Sequence, residues 1–313
     1  MAEVNHRFIQ TNGIRMHIAE QGEGPLVILC HGFPELWYSW RHQLPALAEV
    51  GYHAVAPDQR GYGQTDQPES IDIYNILQLT ADIVGLVQAL GEEQAVIAGH
   101  DWGAHVARSC ALLRPDMFRA VALFSTPFVM RSWDDPRPTQ WMKQTWGEGF
   151  YVLQYQEPGI AEAEMETNVR WTLCRNLIKE SMLRDKPEQN SDTPAVPATL
   201  PTWITEEDLD YITREFERTG FRGGLNWYRN YDRNWELTSF LAGEKLLQPT
   251  LYIAGEYDGV LEMRRAAYDV LEETVPNLWK KVVLPNTGHW AQQERPAEVN
   301  QLLIEFLASL SEK

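Results

Sequence analysis

In the first part of the chain, short apolar runs rich in β-branched residues alternate with longer segments whose apolar residues recur at helical spacing. The short runs predict strands at Phe8–Thr11, Met16–Glu20, Leu26–Cys30, Ala54–Ala56, Ala95–Gly99 and Ala120–Phe124. The longer segments predict a helix from Leu77 to Leu90, with Gly91 placed to end it, and another from about Ala104 to Leu113. Strands separated by helices favour a mostly parallel sheet covered on both faces.

The same pattern returns near the end of the chain. It predicts strands at Thr250–Ala254 and Lys281–Leu284 and a last helix from about Ala297 to Leu310. The predicted fold class is therefore α/β, with a mostly parallel eight-stranded sheet flanked by helices.

Between these two parts the chain becomes helical in pattern and dense in aromatic residues. Seven of the twelve tryptophans lie there: Trp133, Trp141, Trp146, Trp171, Trp203, Trp227 and Trp235. Lys186–Pro201 is polar and contains prolines, so it predicts a loop. We interpret 128–242 as a helical lid inserted into a core made of 1–127 and 243–313. A second independent domain is the alternative.

The charge and the cysteines narrow the class of protein. The formal net charge is −17, which argues against nucleic acid or an anionic membrane as the main partner. Cys30, Cys110 and Cys174 are odd in number and widely spaced, as expected of reduced thiols in a cytosolic protein. Neither a signal peptide nor a membrane span is visible, so we expect a cytoplasmic protein, either a monomer or a homodimer.

The segment Ala95–Ala104 carries the strongest signal for chemistry. A buried strand passes through Gly-His-Asp-Trp-Gly, with Asp101 at its centre, directly into a helix. With serine in the middle, this turn is the nucleophile elbow, in which small flanking residues let strand and helix approach closely. A carboxylate there can attack saturated carbon and form an alkyl ester. A simple helix N-cap is the alternative for Asp101, and we interpret His100 as a packing residue.

Two further loops fit this interpretation. The loop after the third strand, His31–Glu35, and the residue after the nucleophile supply oxyanion-hole N–H groups in such folds, so we assign this role to Phe33 and Trp102. His289 follows the last strand and is the expected base. Its acid partner should follow the preceding strand, where we choose Asp258 over Glu256 because Asp258 lies further into the loop.

Taken together, these motifs resemble the soluble epoxide hydrolases of the α/β-hydrolase superfamily. The resemblance spans nearly the whole chain and rests on HGFPE at His31–Glu35, GHDWG at Gly99–Gly103, the acid loop at Asp258 and Gly288–Trp290. It implies the α/β-hydrolase fold with a lid. It also suggests the compact bacterial or plant type, without the N-terminal phosphatase-like domain or membrane anchor of some relatives.

The resemblance also implies two lid tyrosines that bind the epoxide oxygen. Tyr151 matches the first in Phe150–Gly159, although Tyr155 lies in the same segment, and Tyr228 matches the second in Gly220–Asn230. The substrate contacts implied are Phe33, Pro34, Trp102, Tyr151 and Tyr228.

The predicted activity is hydrolysis of a small apolar epoxide to a vicinal diol, without a metal or an organic cofactor. Asp101 would be the nucleophile, His289 the base and Asp258 its partner. A haloalkane dehalogenase is the nearest alternative, because it shares the first two motifs, but Phe33 stands where some of those enzymes have a halide-binding asparagine. A non-catalytic ligand receptor on the same scaffold is the alternative from another class.

Overall fold

Eight strands form one sheet in the part of the chain that the structure describes. The computed structural model describes residues 4–179 and 200–310. The strands are β1 Asn5–Thr11, β2 Ile14–Gln21, β3 Leu26–Cys30, β4 His53–Pro57, β5 Ala95–His100, β6 Phe118–Phe124, β7 Thr250–Gly255 and β8 Leu278–Leu284. Their order across the sheet is β1-β2-β4-β3-β5-β6-β7-β8. The pairs β1–β2 and β2–β4 are antiparallel and the rest are parallel, so the predicted mostly parallel sheet is confirmed.

Helices cover both faces of this sheet. The helices that precede β6 or follow β7 in the chain are α1 Gln43–Glu49, α2 Ile76–Ala89, α3 Trp102–Leu113, α11 Gly259–Met263, α12 Arg265–Asp269, α13 Leu271–Thr274, α14 Ala291–Glu294 and α15 Pro296–Leu310. Short 3₁₀ turns occupy Trp37–Trp40, Ile71–Tyr74 and Ser239–Leu241. None of the helices within 4–179 and 200–310 is long and apolar enough to cross a membrane.

The central strand β3 shows why the apolar runs are continuous. All of its residues are buried, because the sheet is covered on both sides. Ile28 and Cys30 join the core that contains α2 and α3, whereas Val27 and Leu29 join the core that contains α1 and α15. Successive side chains of a strand point to opposite faces, so one apolar run supplies both cores.

The aromatic segment is an insertion between two neighbouring strands. It follows β6 and precedes β7, which pair in parallel with Val121 opposite Thr250. Its helices are α4 Pro138–Trp146, α5 Tyr151–Gln154, α6 Ile160–Glu166, α7 Val169–Lys179, α8 Glu206–Thr219, α9 Arg222–Arg229 and α10 Tyr231–Leu237. The division of the chain at 128 and 242 stays a prediction, and most of the predicted loop Lys186–Pro201 lies outside the described residues.

Direct hydrogen bonds join the inserted helices to the loops that follow β3 and β4. Trp227 Nε1 donates to the Arg60 carbonyl at 3.0 Å, and Tyr38 Oη donates to Asp208 Oδ1 at 2.7 Å. A Cβ on Gly223 would overlap the carbonyl oxygen of Gly61, so the two backbones are in contact there. These contacts hold α8 and α9 against the ends of the strands.

Two strands begin three residues earlier than predicted: β1 begins at Asn5 rather than at Phe8, and β8 begins at Leu278 rather than at Lys281. Lys280 and Lys281 interrupt the apolar pattern that predicts strands. Strand β8 lies at the edge of the sheet, where lysines are tolerated and discourage pairing with other chains.

We predict that Gly103→Ala destabilises the fold severely. A Cβ there would overlap the carbonyl oxygen of Cys30, and neither β3 nor α3 can move without breaking its packing. The free energy of unfolding, measured with urea, should fall by about 3 kcal/mol or more. Gly149→Ala is the matched control, since nothing lies within 4 Å of its Cβ position, and it should stay within about 0.5 kcal/mol of the parent. Equal stability of the two variants would contradict this account of the turn.

Candidate active site

Asp101 sits on a strained backbone between β5 and α3. Its φ is 52° and its ψ is −116°, a region that residues other than glycine rarely adopt. It occupies the N-cap position of α3, yet its side chain makes no capping hydrogen bond. The geometry therefore disfavours the alternative in which Asp101 is only a helix cap.

Backbone N–H groups stabilise the carboxylate instead. Phe33 N donates to Asp101 Oδ1 at 3.0 Å, and the backbone N–H of Trp102 favours the ionised form by lowering the pKa of this carboxylate. A side chain on Gly32 would collide with Cβ and Oδ1 of Asp101, so only glycine permits this approach. The structure thus brings both predicted oxyanion-hole donors to the predicted nucleophile.

His289 lies on the other side of the carboxylate and is itself oriented by Asp258. The Nε2 atom of His289 is 4.0 Å from Asp101 Oδ2, and its Nδ1 is 2.9 Å from Asp258 Oδ1. Asp258 is buried, and its Oδ1 also accepts the Val260 N–H at 2.9 Å. Glu256 is exposed and accepts the Asn286 N–H, so the geometry favours Asp258 over Glu256.

Two tyrosines of the inserted segment share a cavity with Asp101. This cavity has a volume of about 30 Å³, close to that of one water molecule. Tyr151 and Tyr228 both line it. The Tyr155 ring packs 5.3 Å from that of Tyr228 but is not among the residues around this cavity. The geometry therefore favours Tyr151 over Tyr155.

The remaining predicted contacts are aromatic and buried. The Tyr228 ring lies 5.4 Å from Phe33 and 5.1 Å from Trp102, measured between ring centroids. Pro34 is buried in the loop after β3, and neither Pro34 nor Phe33 is among the residues that line the Asp101 cavity. The predicted contact of Pro34 with substrate is supported least, because Phe33 at least packs against Tyr228.

Burial and hydrogen bonding act on the carboxylate in opposite directions. Burial raises the pKa of Asp101 above its usual range, while His289, His100 and the two backbone N–H groups partly offset this effect. Burial also raises the pKa of Tyr228 well above 10, so this phenol stays protonated at neutral pH. The site therefore pairs a poorly solvated carboxylate with a proton donor.

Comparisons with known proteins agree with this arrangement. The family described as the alpha/beta hydrolase fold matches residues 25–296. Epoxide hydrolase A of Mycobacterium tuberculosis is 47% identical, with 99% of each chain covered, and epoxide hydrolase 2 of Siraitia grosvenorii is 39% identical, with 98% of this chain and 99% of that one covered. The crystal structure of epoxide hydrolase A from Mycobacterium thermoresistibile aligns with a TM-score of 0.91 and 46% identity over 98% of both chains.

The chain belongs to the epoxide hydrolases of the α/β-hydrolase fold. The resemblance and the fold class inferred from the sequence are thereby confirmed. No cluster of His, Cys, Asp or Glu that could hold a metal occurs among residues 4–179 and 200–310. The three cysteines of this epoxide hydrolase are buried and free.

His100 belongs to a buried polar network behind His289. The interpretation of His100 as a packing residue missed this network. His100 Nδ1 is 2.7 Å from Glu35 Oε2, and its Nε2 is 2.9 Å from the His289 carbonyl oxygen. Glu35 Oε1 accepts from Gln292 and Gln293, at 3.1 and 3.0 Å. This network fixes the backbone of His289. A glutamate placed directly after the Gly-Phe-Pro turn was the available signal.

Ser125 is a second residue near His289 that the sequence did not reveal. Its Oγ is 3.0 Å from His289 Nδ1, and its own backbone has a positive φ of 65°. Tyr252 Oη donates to the Ser125 carbonyl at 2.6 Å and holds this turn in place. Because Ser125 directly follows β6, its position depends on the strand order across the sheet, which the sequence pattern does not give.

We predict that Glu35→Gln destabilises the protein in a pH-dependent way. Burial opposes ionisation of Glu35, but His100 and the Gly32 N–H outweigh it and lower the pKa of Glu35 below 4.5. The ionised form therefore adds stability above that pH, and this contribution is lost as the pH falls through the lowered pKa. Breaking such a buried pair should lower the free energy of unfolding by about 3 kcal/mol at pH 7.

Urea unfolding of parent and variant over a range of pH measures this difference. It should be largest at neutral pH and should shrink on acidification below about pH 4.5. Glu23→Gln, at an exposed position, is the control and should show no such trend. A difference that stays constant with pH would argue against the charge of Glu35 as its source.

Proposed function

We propose that this epoxide hydrolase converts epoxides and water to vicinal diols through an ester on Asp101. The observation that carries this proposal is the carboxylate held on the elbow between two backbone N–H donors, 4.0 Å from His289. A carboxylate so placed suits attack on saturated carbon, whereas acyl transfer uses an alcohol or a thiol. Tyr151 and Tyr228 line the same cavity and supply the acids that protonate the leaving oxygen.

In the first half-reaction, Asp101 opens the epoxide ring. Oδ1 is held by the Phe33 N–H, which leaves Oδ2 as the attacking atom. The carbon–oxygen bond of the ring breaks, and the oxygen leaves as an alkoxide that takes a proton from Tyr151 or Tyr228. Positioned acid catalysis of this kind accelerates a reaction about a hundred- to ten-thousand-fold.

In the second half-reaction, water hydrolyses the ester. His289 removes a proton from the water, and Asp258 stabilises the imidazolium that forms. The hydroxide adds to the ester carbon, and the charge that develops on Oδ1 is held by the Phe33 and Trp102 N–H groups. When the intermediate collapses, His289 returns the proton to the departing diol, which carries away one oxygen of Asp101. The carboxylic acid left at Asp101 then releases its proton, which restores the tyrosine that protonated the alkoxide.

The proposal also includes the cellular location and the substrate of the enzyme. The three buried free thiols fit the expected cytoplasmic location. Aromatic rings around the nucleophile favour an apolar group beside the epoxide, with Phe33, Trp102, Tyr151 and Tyr228 as its contacts. No metal or organic cofactor takes part in either half-reaction. Halide release from a haloalkane at a rate comparable to diol formation would instead support the dehalogenase alternative.

We predict that His289→Gln traps the ester. Ring opening needs only Asp101 and a proton donor, whereas hydrolysis needs the base. Intact-mass spectrometry after addition of styrene oxide should therefore show the protein heavier by one substrate molecule. His42→Gln is the control, because His42 lies outside the site, and it should turn over like the parent.

Heavy-oxygen water tests the same route in the parent enzyme. In a single turnover the label should enter Asp101 before it appears in the diol, because water attacks the ester carbon. Label that appears only in the diol, or normal turnover by His289→Gln, would refute the proposed mechanism.

We predict that Tyr151→Phe and Tyr228→Phe each slow ring opening by about a hundredfold or more, since each loses an acid. Tyr155→Phe is the matched control from the same segment and should change the rate by less than about threefold. Stopped-flow tryptophan fluorescence measures the step, because Trp102 packs against Tyr228. If ring opening were slow in Tyr155→Phe and fast in Tyr151→Phe, the acid would be Tyr155 rather than Tyr151.

A further inference from the structure

A second, much larger cavity adjoins the one at Asp101. Its volume is about 430 Å³, within the range of pockets that hold small ligands. Several residues line both cavities: Trp102, His105, Met142, Tyr231 and Arg264. Since the cavity at the nucleophile has room for about one water, the body of a substrate attached there extends into the larger space.

Helix α3 runs along the wall that the two cavities share. Asp101, His105 and Arg108 are spaced four and then three residues apart, which places them on one face of the helix. His105 lines both cavities and Arg108 lines the larger one. The helical rise of 1.5 Å per residue puts Arg108 about 10 Å beyond the nucleophile along the helix axis.

Arg108 and Arg264 lack a carboxylate partner among the described residues. Arg108 Nη2 donates to His105 Nδ1 at 2.7 Å, while its buried Nη1 has no hydrogen-bond partner. Arg264 stacks on Trp141 and Trp146, with its Cζ 5.1 and 5.8 Å from the ring centroids. In a chain with 44 acidic and 27 basic residues, two unpaired arginines in one cavity are unexpected.

The other polar groups of this cavity do not neutralise the two arginines. Burial, together with Arg108 and Arg264, lowers the pKa of His105 well below 6.5, so it is a neutral acceptor. Burial raises the pKa of Tyr231 to about 12, so it is neutral as well. Asp135 lines the cavity, but it interacts with Arg131 and accepts the Ser132 N–H at 2.7 Å.

The two arginines also repel each other. Burial and the charge of Arg264 lower the pKa of Arg108 to about 10, which still leaves it charged at neutral pH. Both arginines are partly buried, and an unpaired charge withdrawn from solvent is unfavourable, so a bound anion lowers that penalty. Guanidinium groups are well suited to carboxylates, which they bind through paired hydrogen bonds.

We propose that the larger cavity is a subsite for the carboxylate of an epoxide substrate, which Arg108 and Arg264 bind while the ring reaches Asp101. This inference rests on the proposed function and refines its substrate to an epoxide that also carries a carboxylate at a distance from the ring. It adds a charged end to the apolar substrate expected from the aromatic lid.

Two substrates of equal shape test the subsite in the unaltered enzyme. ω-Epoxydecanoate and its primary amide differ only in charge at the end far from the ring. We expect kcat/KM to be at least about tenfold higher for the carboxylate at low salt, as for a hydrogen bond to a charged group. Equal values for the two substrates would overturn the inference.

Single substitutions test whether Arg108 and Arg264 cause the preference for the acid over the amide. Arg108→Gln and Arg264→Gln should each lower the ratio of kcat/KM for the acid over the amide by about tenfold to a hundredfold, chiefly through KM. Arg265→Gln is the matched control, because Arg265 is adjacent but exposed and paired with Glu262, and its ratio should equal that of the parent. A ratio unchanged in both test variants would contradict the assignment.

Binding without turnover separates this inference from the proposed function. Calorimetry with decanoate and decanamide on the unaltered protein makes the same comparison with no epoxide present. Tighter binding of decanoate supports the subsite even if neither epoxide is hydrolysed, an outcome that would count against the proposed function alone. Equal binding of the two ligands would refute the subsite even if both epoxides are hydrolysed.

Discussion

The close approach of strand β5 to helix α3 is the constraint on which the site depends. Gly99 and Gly103 allow it, since a Cβ on either would overlap a backbone carbonyl. The turn between them holds Asp101 at a positive φ, and its side chain makes no capping hydrogen bond to its own helix. A third glycine, Gly32, lets the Phe33 N–H reach the carboxylate. Without these contacts Asp101 would be free to adopt the ordinary role of an aspartate at a helix start, which is to cap the helix.

The same arrangement sets the reactivity of the carboxylate. Burial alone favours the protonated acid, which cannot attack carbon, while hydrogen bonds favour the anion. The two backbone N–H groups lower the pKa of Asp101 and so favour its ionised form. The same groups lie where negative charge later develops on the ester. Backbone N–H groups suit this double role because the fold fixes their directions before the substrate arrives. The strained backbone is thus part of a preorganised site, in keeping with where such strain is usually found.

The sequence revealed those parts of the site whose signals are local. The elbow and the loop His31–Glu35 directly follow predicted strands, and His289 lies five residues after the last one. The carboxyl ends of strands in a parallel sheet share one edge. Ser125 meets the same description but carries no chemical signature, so only its contact with His289 identifies it. The polar network of Glu35 and His100 joins residues 65 positions apart in a buried contact. Local patterns contain no information on such pairs, which depend on strand order and on rotamers.

The inserted helical segment and the edge of the sheet supply different kinds of groups to the site. The sheet edge supplies groups that favour or carry charge: the nucleophile, its N–H donors and the imidazole. The inserted helices supply the phenols of Tyr151 and Tyr228, and burial keeps the phenol of Tyr228 neutral by raising its pKa. Arg264 follows the acid loop of the core yet stacks on lid tryptophans, so it spans both parts of the molecule. A substrate anion bound there would contact core and lid together, and its charge would then help to set where the epoxide ring rests above the carboxylate.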